Sequence, residues 1–254
     1  ILLWVLYFYE YKMVIDNILL LRTILLFLPY FSLWYFFDKR IKDKFFLKPR
    51  THMQLNFIMI ALVIVFAELV YWNLFLRNYT FLAFELTTIS VNSQGEEKQT
   101  ISNTLVVLLG TVVAILGWLF PTRANSVAAT RSHTMHTLME SRLSEIYNHK
   151  VTLCTEVYVT AKKQFGESYI LKKEHFENLD QKYKDAIHYL LNYLEFVATG
   201  IRFGDLDETL MRNMMKTIIN TNFTFFEEVI KDKQVKAPTV YEHLTVLHKR
   251  WNCK

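Results

Sequence analysis

Gln54–Leu76 reads QLNFIMIALVIVFAELVYWNLFL, and this stretch decides the fold. From Leu55 to Leu76 it is almost wholly apolar over about 22 residues, which rise roughly 33 Å as an α-helix and reach across a bilayer. Glu68 is its one acidic or basic side chain. An ionised carboxylate is costly at that depth, so Glu68 is expected to be neutral, paired, or turned toward a protein or water interior.

The flanking segments orient this span. Before it, Asp38–His52 reads DKRIKDKFFLKPRTH, with Lys39, Arg40, Lys42, Lys44, Lys48 and Arg50 against only Asp38 and Asp43. A short loop so rich in Lys and Arg belongs on the cytoplasmic side. After it, Arg77–Ser102 carries Glu85, Glu96 and Glu97 against Arg77 and Lys98 and is expected outside. Its portion TFLAFELTTISV fits either a short strand or a segment lying on the membrane surface.

Two further segments have the length of spans. Ile18–Phe37 contains Arg22, and Pro29 is expected to kink it. Asn103–Phe120 is expected to run back inward, with Trp118 as an interface anchor and Pro121 ending the helix. Gly110, Ala114 and Gly117 lie on one face of this last span and allow close helix packing, within the chain in preference to between chains. Ile1–Tyr9 is too short to cross alone. It is read as the end of a span that begins upstream, in preference to an interfacial anchor, and the chain is expected to start partway into an apolar segment.

Composition agrees with a helical protein in two parts. Of 254 residues, 52% are hydrophobic, and the 6 Gly and 4 Pro leave little scope for elaborate turns. The mean hydropathy of +0.15 averages an apolar first half with a charged second half. The net charge of +5 sits largely beside the spans, so positive-inside sorting explains it and nucleic acid is not an expected partner. Cys154 and Cys253 are too few and too far apart for a disulfide framework or a zinc site. No metal or cofactor is expected.

From Thr122 onward the pattern is that of a helical domain. Met135, Leu138, Met139, Leu143, Ile146 and Tyr147 follow helical spacing, extending the last span into a long helix. Leu179, Tyr183, Ile187, Leu190, Leu194, Val197 and Ile201 mark a second helix, with Gly200 and Gly204 as its terminators. Asp205 with Glu208 reads as a capping box, and Thr239 with Glu242 repeats it before a final helix through Leu244, Leu247 and Trp251. The expected fold class is all-α: a multi-span transmembrane helix bundle over 1–120, with spans at about 18–37, 55–76 and 103–120, followed by a cytosolic α-helical domain over 121–254.

Three segments of the second half carry a resemblance. They are LLNYLEFVATGIRFGDLDETLMRNMM at Leu190–Met215, RSHTMHTL at Arg131–Leu138 and YEHLTVLHKRW at Tyr241–Trp251. Together they resemble the bacterial domain-of-unknown-function 4760 family. The resemblance implies a bacterial helical module commonly attached to membrane helices, without catalytic residues to carry over. It also implies a setting, since similar membrane-plus-helical proteins occur among phage-defence genes.

Each candidate site has a plain structural alternative. Glu68 and Arg22 differ in depth by roughly 6 Å at helical rise and could pair to order the bundle; the functional alternative is a carboxylate lining an ion or proton path. Arg202, Asp205 and Asp207 meet at a helix junction, where capping and salt bridging compete with recognition of a charged signal or a partner. Arg131 with His136 stand as R-x4-H, and Arg142 with His149 as R-x6-H. These spacings resemble ribonucleases of the higher eukaryote and prokaryote nucleotide-binding family, and they also arise by chance on solvated helix faces. Walker, GxGxxG, GxSxG and HExxH motifs are absent, so a non-enzymatic role is expected.

The expectation is an inner-membrane effector or signalling partner in bacterial phage defence. Its cytosolic domain would sense a protein partner or small signal, and a homo-oligomeric bundle in contact with lipid would alter permeability. The alternatives are a membrane-tethered ribonuclease and a passive membrane scaffold.

Overall fold

The computed structural model describes residues 27–35, 37–38, 43–48, 50–75, 87–91, 97–101 and 103–252. Arg22, the segment 1–9 and Cys253 lie outside the described residues. Residues 27–35 and 37–38 are helical. They are followed by α1 (Thr51–Phe75), β1 (Thr87–Val91), β2 (Glu97–Ile101), α2 (Asn103–Leu143), α3 (Glu145–Phe165) and α4 (Lys173–Glu177). The chain then forms α5 (Gln181–Phe203), α6 (Glu208–Phe225), α7 (Glu227–Lys236) and α8 (Glu242–Asn252). The fold is helical apart from one antiparallel hairpin, in register from Thr87↔Ile101 to Val91↔Glu97. Of the two readings open for Thr80–Val91, its last five residues take the strand.

Two compact units result, one from Ile1–Lys42 with Thr51–Arg123, the other from Asp43–Arg50 with Ala124–Lys254. The first holds α1 and the apolar half of α2, and both helices are long and apolar enough to cross a membrane. Ile58, Val63, Val106, Val107, Val113, Trp118 and Phe120 on these helices are exposed, a pattern suited to an apolar solvent. Phe37 is buried edge-on against Phe57 with centroids 4.9 Å apart, and Arg123 donates from Nε to Asn56 Oδ1.

Pro121 does not end the helix, contrary to expectation. It sits inside the 41-residue α2, which at helical rise is about 60 Å long. The missing N–H withdraws the bond to the Gly117 carbonyl, while the next carbonyl, that of Trp118, accepts from the Thr122 hydroxyl at 2.7 Å.

In the second unit, the apolar stripe of α5 is the centre of the core. Ile187, Leu190, Leu194, Val197 and Ile201 are all buried, as their spacing predicts. Met211, Met215 and Ile219 of α6, Leu244, Leu247 and Trp251 of α8, and Leu153, Cys154 and Val157 of α3 complete it. Each fully buried large aliphatic contributes about 1.5–3 kcal/mol of transfer free energy.

The stripe expected to run from Met135 to Tyr147 on one helix behaves differently. On α2 Leu138 is buried, whereas Met135, Met139 and Leu143 are exposed; the helix stops at Ser144, whose hydroxyl accepts from Tyr147 N to start α3, where Ile146 is exposed. Gly204, at φ 77°, ends α5 as a left-handed cap. Gly200 is a helix interior residue rather than a terminator, and Leu206 packs over its Cα with no room for a Cβ. The cap of α6 is Asp207, not Asp205: its carboxylate accepts from Leu210 N at 2.8 Å. Before α8 the chain turns through Tyr241, at φ 55°.

Candidate functional site

The segment Asp43–Arg50 precedes α1 in sequence but belongs to the helical unit. Asp43 makes it a tight turn. Its Oδ1 accepts from Phe45 N at 3.1 Å and its carbonyl accepts from Phe46 N at 3.0 Å. The turn buries Phe45 and sets it edge-on to Phe46.

Two arginines of the module hold this turn. Arg202, on the last turn of α5, is buried to 7% exposure and donates from Nε to the Phe45 carbonyl at 3.2 Å. The Arg202 carbonyl accepts in return from Leu47 N at 2.7 Å. Its Nη1 lies 2.6 Å from His243 Nδ1 and 3.6 Å from Glu242. Because arginine only donates, His243 Nδ1 is the acceptor of that bond.

Arg250, on α8, grips Glu208 with two bonds, Nε–Oε1 at 2.6 Å and Nη2–Oε2 at 3.1 Å. Its Nη1 reaches Asp43 Oδ2 at 2.9 Å. The guanidinium also lies over the Phe45 ring, 4.2 Å from the centroid. Burial works against its charge, but the Glu208 and Asp43 carboxylates outweigh that and hold it above the ordinary arginine value. Arg50 over Phe46 and Lys48 over Phe203 extend the cationic contacts along the loop.

Glu195 supports this arrangement from α5. Its two oxygens accept from His243 N at 3.0 Å and Leu244 N at 2.7 Å, capping the start of α8, the helix that presents Arg250. Glu195 was not a candidate from the sequence, Glu208 was read there only as a capping partner, and His243 and Arg250, with His248 and Lys249, suggested no more than a basic patch on a solvated terminal helix. Their partners are tens to hundreds of residues away, beyond any local spacing rule.

The sequence candidates do not converge on one point. Arg202 turns to the loop, while Asp207 caps α6 and pairs with Arg131 at 3.5 Å, its N–H donating to the buried Thr134 hydroxyl. Asp205 is an exposed turn residue. His136 pairs with Glu140 at 3.3 Å. Five residues along α2 set Arg131 and His136 about 140° apart around the helix, which does not bring their side chains together. Arg142 ends α2 and His149 lies in α3.

Within the first unit, Glu68 has Tyr30 as its polar neighbour, yet no donor completes a hydrogen bond of ordinary geometry to either carboxylate oxygen among the described residues. At Gly110 and Gly117 no described atom comes within 4 Å of where a Cβ would stand, and Ala114 is exposed. The expected packing of this face within the chain is therefore not made among the described residues. No cluster of three or more metal-ligating side chains occurs among them either.

The class so defined is a helical module carried on helices of membrane-crossing length. The family model described as Domain of unknown function (DUF4760) matches residues 104–251, and the chain belongs to that family. The match includes Glu195, Arg202, Glu208, His243 and Arg250 but not the loop that the two arginines hold. No curated protein and no solved structure matches the chain.

Proposed function

We propose that the protein is a bacterial inner-membrane effector or signalling partner in phage defence. Its cytosolic module senses a partner or ligand and passes its state to a multi-span, homo-oligomeric bundle that alters permeability. The defence setting comes from the family resemblance. The coupling rests on one observation: the turn at Asp43–Leu47, between two apolar helices in sequence, is hydrogen-bonded into the module through Arg202 and Arg250.

That contact supports a topology. The loop and the module, which fold as one unit, share one side of the membrane, and the acidic segment between α1 and α2 is assigned to the other side by its charge alone. The loop's basic residues assign the shared side to the cytoplasm. Any ligand or protein that shifts Arg202 or Arg250 then acts on the two helices joined by the loop. The uncovered Gly110–Ala114–Gly117 face offers a close contact to another copy of the chain. Glu68, a carboxylate without a completed hydrogen bond, is the group on which permeability would turn.

The test is membrane potential in cells expressing the full chain or Glu68→Gln, before and during phage challenge, with equal insertion verified. Depolarisation in the wild type and its loss in Glu68→Gln is the expected result. An unchanged potential with protection intact would overturn the permeability role.

A further inference from the structure

We infer that the module binds a small phosphate ester in the cavity between the start of α6 and the end of α8, and that the bound phosphate competes with Asp43 for Arg250. This deepens the coupling reading above and rests on it for its consequence, though not for the site itself.

The cavity has a volume of about 550 Å³ and is lined by Glu208, Thr209, Arg212, Asn213, Arg250 and Trp251. Glu208 with Arg212, and Thr209 with Asn213, are pairs four residues apart and so share one face of α6. Arg212 would ordinarily pair with Glu208, but Glu208 is turned to Arg250 with both oxygens engaged. Arg212 is thus an exposed guanidinium without an acidic partner among the described residues.

The remaining groups also favour an anion. Thr209 and Asn213 add a hydroxyl and an amide to the lining. Trp251 is 1% exposed, and its indole N–H is the one buried side-chain donor without an acceptor among the described residues. A phosphate ester suits this set because its oxygens can take a forked guanidinium and further donors at once. A carboxylate has one oxygen fewer and less charge.

The link to the loop is Arg250, which lines the cavity and bridges Glu208 and Asp43. A dianion beside it competes for Nη1 and repels the Asp43 carboxylate. Occupancy therefore loosens the turn that holds Phe45 and Phe46.

The experiment uses the full chain in phosphatidylcholine nanodiscs with ¹⁵N-labelled indoles, titrated with inorganic pyrophosphate. The Trp251 N–H resonance, assigned through Trp251→Phe, should shift saturably, and amide exchange at residues 43–48 should quicken. Arg212→Ala should weaken this binding by roughly tenfold or more. Should Trp251→Phe fail to fold, Arg212→Ala, at an exposed position, carries the test through amide exchange.

No saturable response, or equal affinity in Arg212→Ala, overturns the site. Binding with unchanged exchange at 43–48 overturns the competition for Arg250. The same shift in phosphatidylglycerol nanodiscs without pyrophosphate would assign the site to a lipid headgroup and overturn the soluble ligand. A negative titration beside intact Glu68-dependent depolarisation would remove this ligand and leave the proposed function standing.

Discussion

Two histidines set how the helical module responds to acid. His248 is stacked on Phe223 with centroids 4.0 Å apart, and burial pushes its pKa below the ordinary 6.5, against a smaller opposing effect of Glu227. His188, edge-on to Phe176, is lowered by burial and by Lys233, with Asp185 and Glu177 opposing. The unfolded chain takes up these protons near pH 6.5, and the folded chain only at lower pH. Between those values the unfolded state holds more protons, so stability falls as pH drops. Thermal unfolding of the full chain should show a lower Tm at about pH 5.5 than at about pH 7.5, with a shallower dependence in His248→Gln. A flat profile would refute the assignment.

The same scale shows where local reading stops. Asp205 and Asp207 both fit a capping rule, and the chain uses the second because the buried Leu206 must first reach over Gly200. Arg202 was legible as a junction residue, but its acceptor, the Phe45 carbonyl, was not.

At the scale of elements, the 43–48 turn depends on α8 for one of its two holds. Arg250→Gln should leave Glu208 and Asp43 without their cation and cost about 1–3 kcal/mol, since the pair is only partly buried. Hydrogen exchange at 43–48 should quicken while that of the α5 core stays slow. Equal protection in both regions would show that Arg202 alone holds the turn. Helix periodicity identified α5, α6 and α8 because their faces meet one another. On α2 it aligned Met135, Met139 and Leu143 as one face but could not tell that these three stay exposed while Leu138 is buried. Periodicity reports which residues are aligned, and only the packing determines their neighbour. Pro121 misled for a related reason, because a helix this long keeps its other bonds on both sides of the one that the proline removes.

For the molecule as a whole, the shared side of loop and module is open to direct test. Single cysteines at Lys48, Lys98 and Lys163, in a chain with Cys154→Ala and Cys253→Ser, should separate under a membrane-impermeant maleimide. The Lys98→Cys chain should label in intact spheroplasts, and the other two only after lysis. Labelling of Lys48→Cys and Lys163→Cys on opposite sides would overturn the topology. The apolar helices were legible because crossing a bilayer demands a length and a composition that a single sequence displays. The assignment of Asp43–Arg50 to the second unit was not, because it depends on contacts across more than a hundred residues.

That separation has a consequence in time. Arg202 bonds to Phe45 across 157 positions, and Arg250 follows later still. At translation rates of about 5–20 residues per second, the turn waits roughly 8–30 s for its first arginine. Throughout that interval Phe45 and Phe46 have no module to receive them. On the proposed topology the flanking apolar helices enter the bilayer before the turn is docked, and the newborn protein passes through an unlatched state whose duration is set by the ribosome.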